Sequence, residues 1–243
     1  MKLKTILIVA VLAVALLGCG KREPRHIVIL PDVSGSIERE SLEQAFKAVD
    51  DLAGHLQRGD RLTIIPILGD AEAEASGKIL RFEVPPNRQA YDTDLRNFRI
   101  KLSSSLREME TSAITYPGSK TDILGTIALA EQEFDLDTDR SNKLLVVLSD
   151  FIEEDQQFNF KTDYHLKAAA SVQSFAMQQI ELRHVRLDHV AVYLGLLKSR
   201  EFAALEKSRR NALKDFWIQY FNNVGAQARF SVDGPALLQL NFL

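Results

Sequence analysis

Apolar positions in this chain fall into two rhythms. Residues 26–32, 61–68 and 143–148 are short, nearly unbroken runs rich in Ile, Val and Leu, the pattern of strands buried on both faces. Residues 38–57 instead carry Leu42, Phe46, Val49, Leu52 and Leu56 three or four positions apart, which is the apolar stripe of a helix. The same reading predicts helices over 95–109, 121–134, 163–180 and 200–224, and strands over 78–84, 186–194 and 227–232. Gly59-Asp60 supplies the turn before the second strand, and Pro85-Pro86 stops the third. Strand and helix alternate along the chain. The expected fold class is therefore α/β and Rossmann-like, with a mostly parallel central sheet and helices on both faces. Ligands of such sheets bind beyond the carboxyl ends of the strands. Asp32 and Asp150 each end an apolar run, so both fall at that edge.

The first residues follow neither rhythm. Lys2 and Lys4 precede an apolar run from Ile6 to Leu17, twelve residues long. That is short for a membrane span and has the length of a signal-peptide core. It ends in Leu16-Leu17-Gly18-Cys19, which resembles the bacterial lipoprotein signal, where cleavage leaves a lipidated cysteine. Cys19 is the only cysteine, so it has no internal disulfide partner. The expected organisation is a signal peptide over 1–18, a lipidated Cys19 with a short tether over 19–25, and one domain over 26–243. About 224 residues follow position 19, enough for a single α/β domain. The resemblance implies a bacterial cell-envelope protein held on a membrane by its N-terminal lipid. Gly20 after the cysteine, in place of a retaining aspartate, favours the outer membrane where the host has one. Gly20 to Arg25 spans at most about 20 Å. The first strand starts at this tether and ends at Asp32, so the edge carrying Asp32 is expected to face away from the membrane.

Charge narrows the function classes. The chain has 30 basic and 33 acidic side chains; losing Lys2 and Lys4 leaves 28 against 33, a net charge of -5. A mildly acidic chain without a basic patch argues against nucleic acid as a partner. No phosphate-binding or dinucleotide-binding glycine motif is present, so nucleotide is not expected either. His26, His55, His165, His184 and His189 do not fall at zinc-ligand spacing and read as structural. Phe216, Trp217, Tyr220 and Phe221 read as the core-facing side of a helix.

The chemistry concentrates in Asp32-Val33-Ser34-Gly35-Ser36, directly after the first apolar run. One carboxylate and two hydroxyls at a strand end are hard oxygen donors of the kind Mg²⁺ prefers. The plain alternative is a polar strand-to-helix turn in which Ser36 caps the helix. Two further segments offer oxygen ligands. Thr121-Asp122 follows the Tyr116-Pro117-Gly118 turn, and Asp150 ends the run Leu144 to Ser149. In order and spacing these resemble the von Willebrand factor A domain, whose metal-ion-dependent adhesion site uses D-x-S-x-S, a later threonine and a later aspartate. The resemblance covers roughly 26–233. It implies that Ser34 and Ser36 bind Mg²⁺ or Mn²⁺ directly and that Thr121 binds directly or through water. Asp32 and Asp150 would act largely through bridging water, leaving one position for an acidic residue of a protein partner. It implies a binding module and no enzyme activity. One departure stands out: Phe151 occupies the place where that family usually has glycine. A large side chain there is expected to narrow access or to join the partner surface. The acidic run Glu153-Glu154-Asp155 beyond it reads as a solvated loop.

Asp32-Val33-Ser34-Gly35-Ser36 also resembles the nucleophile loop of haloacid-dehalogenase-type phosphatases, with Asp32 as nucleophile and Asp150 as a metal ligand. Ser34 stands where that family has a second acid. Lys120 is the only candidate for its lysine, and Ser149-Asp150-Phe151 replaces its acidic pair.

Overall fold

The computed structural model describes residues 23–75, 77–86, 91–137, 142–155, 157–167, 169–236 and 238. The signal segment and Cys19 lie outside the described residues. Six strands form one sheet: β1 (Arg25–Pro31), β2 (Arg61–Ile64), β3 (Leu80–Glu83), β4 (Asn142–Ser149), β5 (Val190–Leu196) and β6 (Gln227–Ser231). Their order is β3-β2-β1-β4-β5-β6. Only the β2–β3 pair is antiparallel; the other four pairs are parallel. The helices are α1 (Arg39–Ala53), α2 (Tyr91–Thr115), α3 (Ile123–Asp135), α4 (Ala169–Arg183), α5 (Arg200–Ala204) and α6 (Lys207–Asn223).

Central strands explain the unbroken apolar runs. Ile27 to Leu30 of β1 and Leu145 to Leu148 of β4 are all fully buried. Successive strand residues point to opposite faces, so burial of every one means that both faces of the sheet are covered. Helix α1 turns Leu42, Phe46, Val49 and Leu52 inward, and α6 does the same with Leu213, Phe216, Trp217, Tyr220 and Phe221. The aromatic stripe is thus core, as its spacing predicts. At the far end of β1, buried His26 lies 3.0 Å from Thr63 Oγ1 through Nε2, with Nδ1 3.1 Å from Asp137. It is a structural histidine.

Several predicted elements differ in extent: the helix expected over 95–109 runs Tyr91–Thr115, the one expected over 163–180 runs Ala169–Arg183, and three others differ for a local reason. The 61–68 run forms regular strand only to Ile64, because Pro66 lacks the N–H a ladder needs. Its backbone still follows β1, with Ile65 N–H donating to Ile29 and Ile67 N–H to Pro31. The strand expected from 186 begins at Val190, after a turn bounded by His184 and His189 at φ 55° and 64°. The single helix expected over 200–224 is two helices, since Leu205 takes an extended ψ of 146° that breaks the hydrogen-bond ladder.

Candidate metal centre

The strand order reverses between β1 and β4, and this switch point is where open α/β sheets form their ligand crevice. Pro31 pairs with Leu148 in register, so Asp32 and Asp150 leave adjacent strand ends together. The chain turns sharply after Asp32. Its Oδ1 accepts the Ser34 N–H at 2.9 Å, and its Oδ2 accepts the Ser149 hydroxyl at 2.6 Å. Ser36 Oγ donates to Asp150 Oδ2 at 3.0 Å, and Ser34 Oγ lies 3.0 Å from Ser36 Oγ. Asp150 Oδ1 accepts the Ile152 N–H, and Ser199 lies close enough to favour its ionised form. Asp32, Ser34, Ser36 and Asp150 therefore form one hydrogen-bonded cluster. Ser36 is not the helix cap: α1 begins after Glu38, and the Ser36 hydroxyl is spent on Asp150.

The segment carrying Thr121 runs beside this turn. Gly118 exchanges backbone hydrogen bonds with Val33 and Gly35, and Thr121 pairs its backbone with Glu154 at 2.9 and 2.8 Å. Thr121 is buried. Among the described residues no direct hydrogen bond joins its hydroxyl to the other four side chains.

Burial raises the pKa of both carboxyls. Asp32 has no exposed surface and is pushed up to about 7, first by desolvation and then by the charge of Asp150; its bonds from Ser149 and Ser34 pull the other way. Asp150 is raised by desolvation, with Ser199, Ile152 N–H and Ser36 opposing and Glu201 adding repulsion. Among the described residues no ion pair reaches either acid. The result is a buried, all-oxygen donor set with two facing carboxyls and two hydroxyls. Such a set fits a hard divalent cation, which would offset the repulsion that lifts both acids.

Two expectations about neighbouring residues are corrected. Phe151 does not narrow the crevice: only 1% exposed, it points into the core, 5.3 Å from the Phe230 ring and 6.1 Å from Trp217. Its φ of 64° turns the side chain away from the crevice, and its carbonyl accepts the Trp217 indole N–H at 2.9 Å. The acidic run is not a solvated loop throughout. Glu153 is fully buried and accepts the N–H groups of Ile123 and Leu124, buried donors that have no partner within the first turn of α3. Ser149 and Ser199 escape a sequence reading because their role is long-range. Ser149 reads as the last residue of an apolar strand, and Ser199 as the cap of α5, which it also is.

No protein-family model and no curated protein matches the sequence. Solved structures do resemble it. A von Willebrand factor type A protein from Catenulispora acidiphila shares 15% identity and a TM-score of 0.49, over 90% of this chain and 41% of that one. The pilus adhesin SpaC from Lactobacillus rhamnosus GG, in an open conformation, shares 9% identity and a TM-score of 0.50, over 92% of this chain and 29% of that one. The fold is a Rossmann-like α/β fold, a mostly parallel six-stranded sheet with helices. This chain spans less than half the length of either protein. A third, the manganese-loaded TRAP protein of Plasmodium vivax, shares 12% identity and a TM-score of 0.43, over 90% of this chain and 73% of that one.

Proposed function

We propose that this chain is a divalent-metal-dependent protein-binding module of a bacterial cell envelope, held there by a lipid on Cys19, with residues 26–243 forming its one domain. The observation that carries the reading is the hydrogen-bonded cluster of Asp32, Ser34, Ser36 and Asp150 at the switch point of a Rossmann-like sheet. Ser34 and Ser36 present hydroxyl oxygens to Mg²⁺ or Mn²⁺, joined by Thr121 directly or through water. Asp150 holds the Ser36 hydroxyl and Asp32 fixes the turn through the Ser34 N–H, while both supply negative charge from just behind the hydroxyls. A bound cation with mainly neutral ligands is electron-poor and attracts an external carboxylate. The partner is therefore a protein presenting an exposed acidic residue. No helix among the described residues is long and apolar enough to cross a membrane; the lipid attachment rests on Cys19 and the apolar run before it.

The phosphatase alternative finds no supporting observation. Both Asp32 oxygens are engaged and the residue has no exposed surface, whereas a nucleophile needs a free oxygen in line with its substrate.

The test is calorimetric titration of Mg²⁺ into the full chain beside Asp32→Ala and the double variant Ser34→Ala/Ser36→Ala. Saturable binding in the wild type, lost in both variants while circular dichroism stays native, is expected. Wild-type binding that both variants retain would place the metal elsewhere and overturn the assignment.

A further inference from the structure

A second group of carboxyls lies outside the cluster just described. Asp122, Glu153 and Asp155 each offer an oxygen, and these oxygens all lie within 4.8 Å of one another. All three are held by backbone groups. Asp122 accepts from Gly125 N–H at 2.7 Å and Ala71 N–H at 3.2 Å. Asp155 accepts from Gln157 and Phe158 N–H, both at 2.6 Å. Glu153 Oε2 accepts from Ile123 and Leu124.

A fourth side chain comes from a different element. Gln179 of α4 is fully buried, and neither its amide oxygen nor its amide nitrogen has a hydrogen-bond partner. It lines a cleft of about 330 Å³ together with Asp70, Asp122, Asp155 and Arg183. Glu153 Oε1 is likewise buried without a partner. Buried polar atoms in native proteins are nearly always bonded, so an unpartnered Gln179 amide and an unpartnered Glu153 oxygen near Asp122 and Asp155 mark a place built for something else. Arg183 pairs with Asp155 at 3.1 Å and offsets one of the negative charges. Asp70 and Asp122 leave the cleft acidic, and a Glu153 oxygen lies within 4.8 Å of oxygens of Asp122 and Asp155.

We propose that Asp122, Glu153 and Asp155, with the Gln179 amide oxygen, form a second cation site suited to Ca²⁺. The donors are all hard oxygens, which excludes the nitrogen and sulfur sets zinc favours. Three carboxylates and an amide carbonyl, drawn from three segments, make an irregular cage. Ca²⁺ accepts six to eight oxygens in flexible geometry, whereas Mg²⁺ demands a near-ideal octahedron. The open side of the cleft supplies the remaining positions with water. The site joins two strips of backbone, 118–122 and 150–155, which the Thr121–Glu154 pairing already lays side by side. Its occupant clamps the segment of Thr121 to the segment of Asp150. The assignment does not depend on how the first centre is read.

Equilibrium dialysis of the full chain against radiolabelled Ca²⁺ tests it, in a Ser34→Ala/Ser36→Ala background that removes the first centre's hydroxyls. One Ca²⁺ per chain, bound saturably, is expected, with affinity falling at least ten-fold on adding Glu153→Gln. Glutamine keeps the volume and an oxygen for the Ile123 and Leu124 N–H groups, so the variant is expected to fold. Gln179→Leu, which touches no helix cap, is the second variant; it is expected to weaken binding and serves as the arbiter if Glu153→Gln melts early. No saturable Ca²⁺ binding in the folded background chain overturns the proposal. Binding that the folded variants leave unchanged overturns it equally.

Discussion

Replacing Phe151 by glycine sets two known effects against each other. A non-glycine residue at φ 64° carries backbone strain of about 1–2 kcal/mol, which glycine removes. The same change deletes a ring that is 1% exposed and lies against Trp217 and Phe230. Truncating a buried phenylalanine costs about 3–5 kcal/mol through lost transfer energy and the cavity left behind. The cavity term wins, and Phe151→Gly is expected to lose roughly 2–3 kcal/mol. For a chain of this size that lowers Tm by roughly 4–12 °C. Urea unfolding followed by tryptophan fluorescence reads the effect directly. Trp217 is the only tryptophan, and it both contacts the Phe151 ring and donates its indole N–H to the Phe151 carbonyl. A variant as stable as the wild type, or more so, would refute the view that Phe151 holds the crevice loop by anchoring it in the core.

The metal-free protein is expected to lose stability as pH rises from about 4 to about 7. Asp32 has a folded-state pKa near 7 against 3.8 in the open chain, so the fold retains its proton and that advantage disappears through this window; Asp150 shifts in the same direction. Urea midpoints measured in EDTA across this range check it, with Asp32→Asn expected to flatten the trend; a wild-type midpoint that rises with pH would contradict it. Gly125→Ala is expected to destabilise by about 1–2 kcal/mol, because a Cβ there would sit 2.2 Å from Asp122 Oδ2 and dislodge the cap of α3. Thermal melting measures it, and an unchanged Tm would mean that the cap is dispensable.

Much of this architecture is legible along the sequence because it rests on local pattern. The apolar runs at β1 and β4 announce central strands, and acids directly after them lie at the crevice edge. Ser34 and Ser36 sit within a few residues of Asp32, so one turn brings them together. The remaining features depend on contacts the local pattern does not encode. Whether Phe151 faces solvent or core depends on a backbone angle and on Trp217, 66 residues away. Glu153 reads as a surface charge until α3 arrives with unsatisfied N–H groups. The break at Leu205 interrupts an apolar periodicity that continues on both sides, so spacing alone predicts one helix.

The pairing of β1 with β4 also governs when the crevice comes into being. Asp32 and Asp150 meet only after Arg25 finds Asn142 and the register closes through to Leu148. Such distant parallel pairing is slow, since a long loop must close before any contact rewards it. During synthesis, β1 emerges with its final central neighbour not yet made. An apolar strand is then left waiting, open to mispairing and in need of protection. The crevice is thus a late product of folding, and a chain in which it has formed has already brought its two halves together.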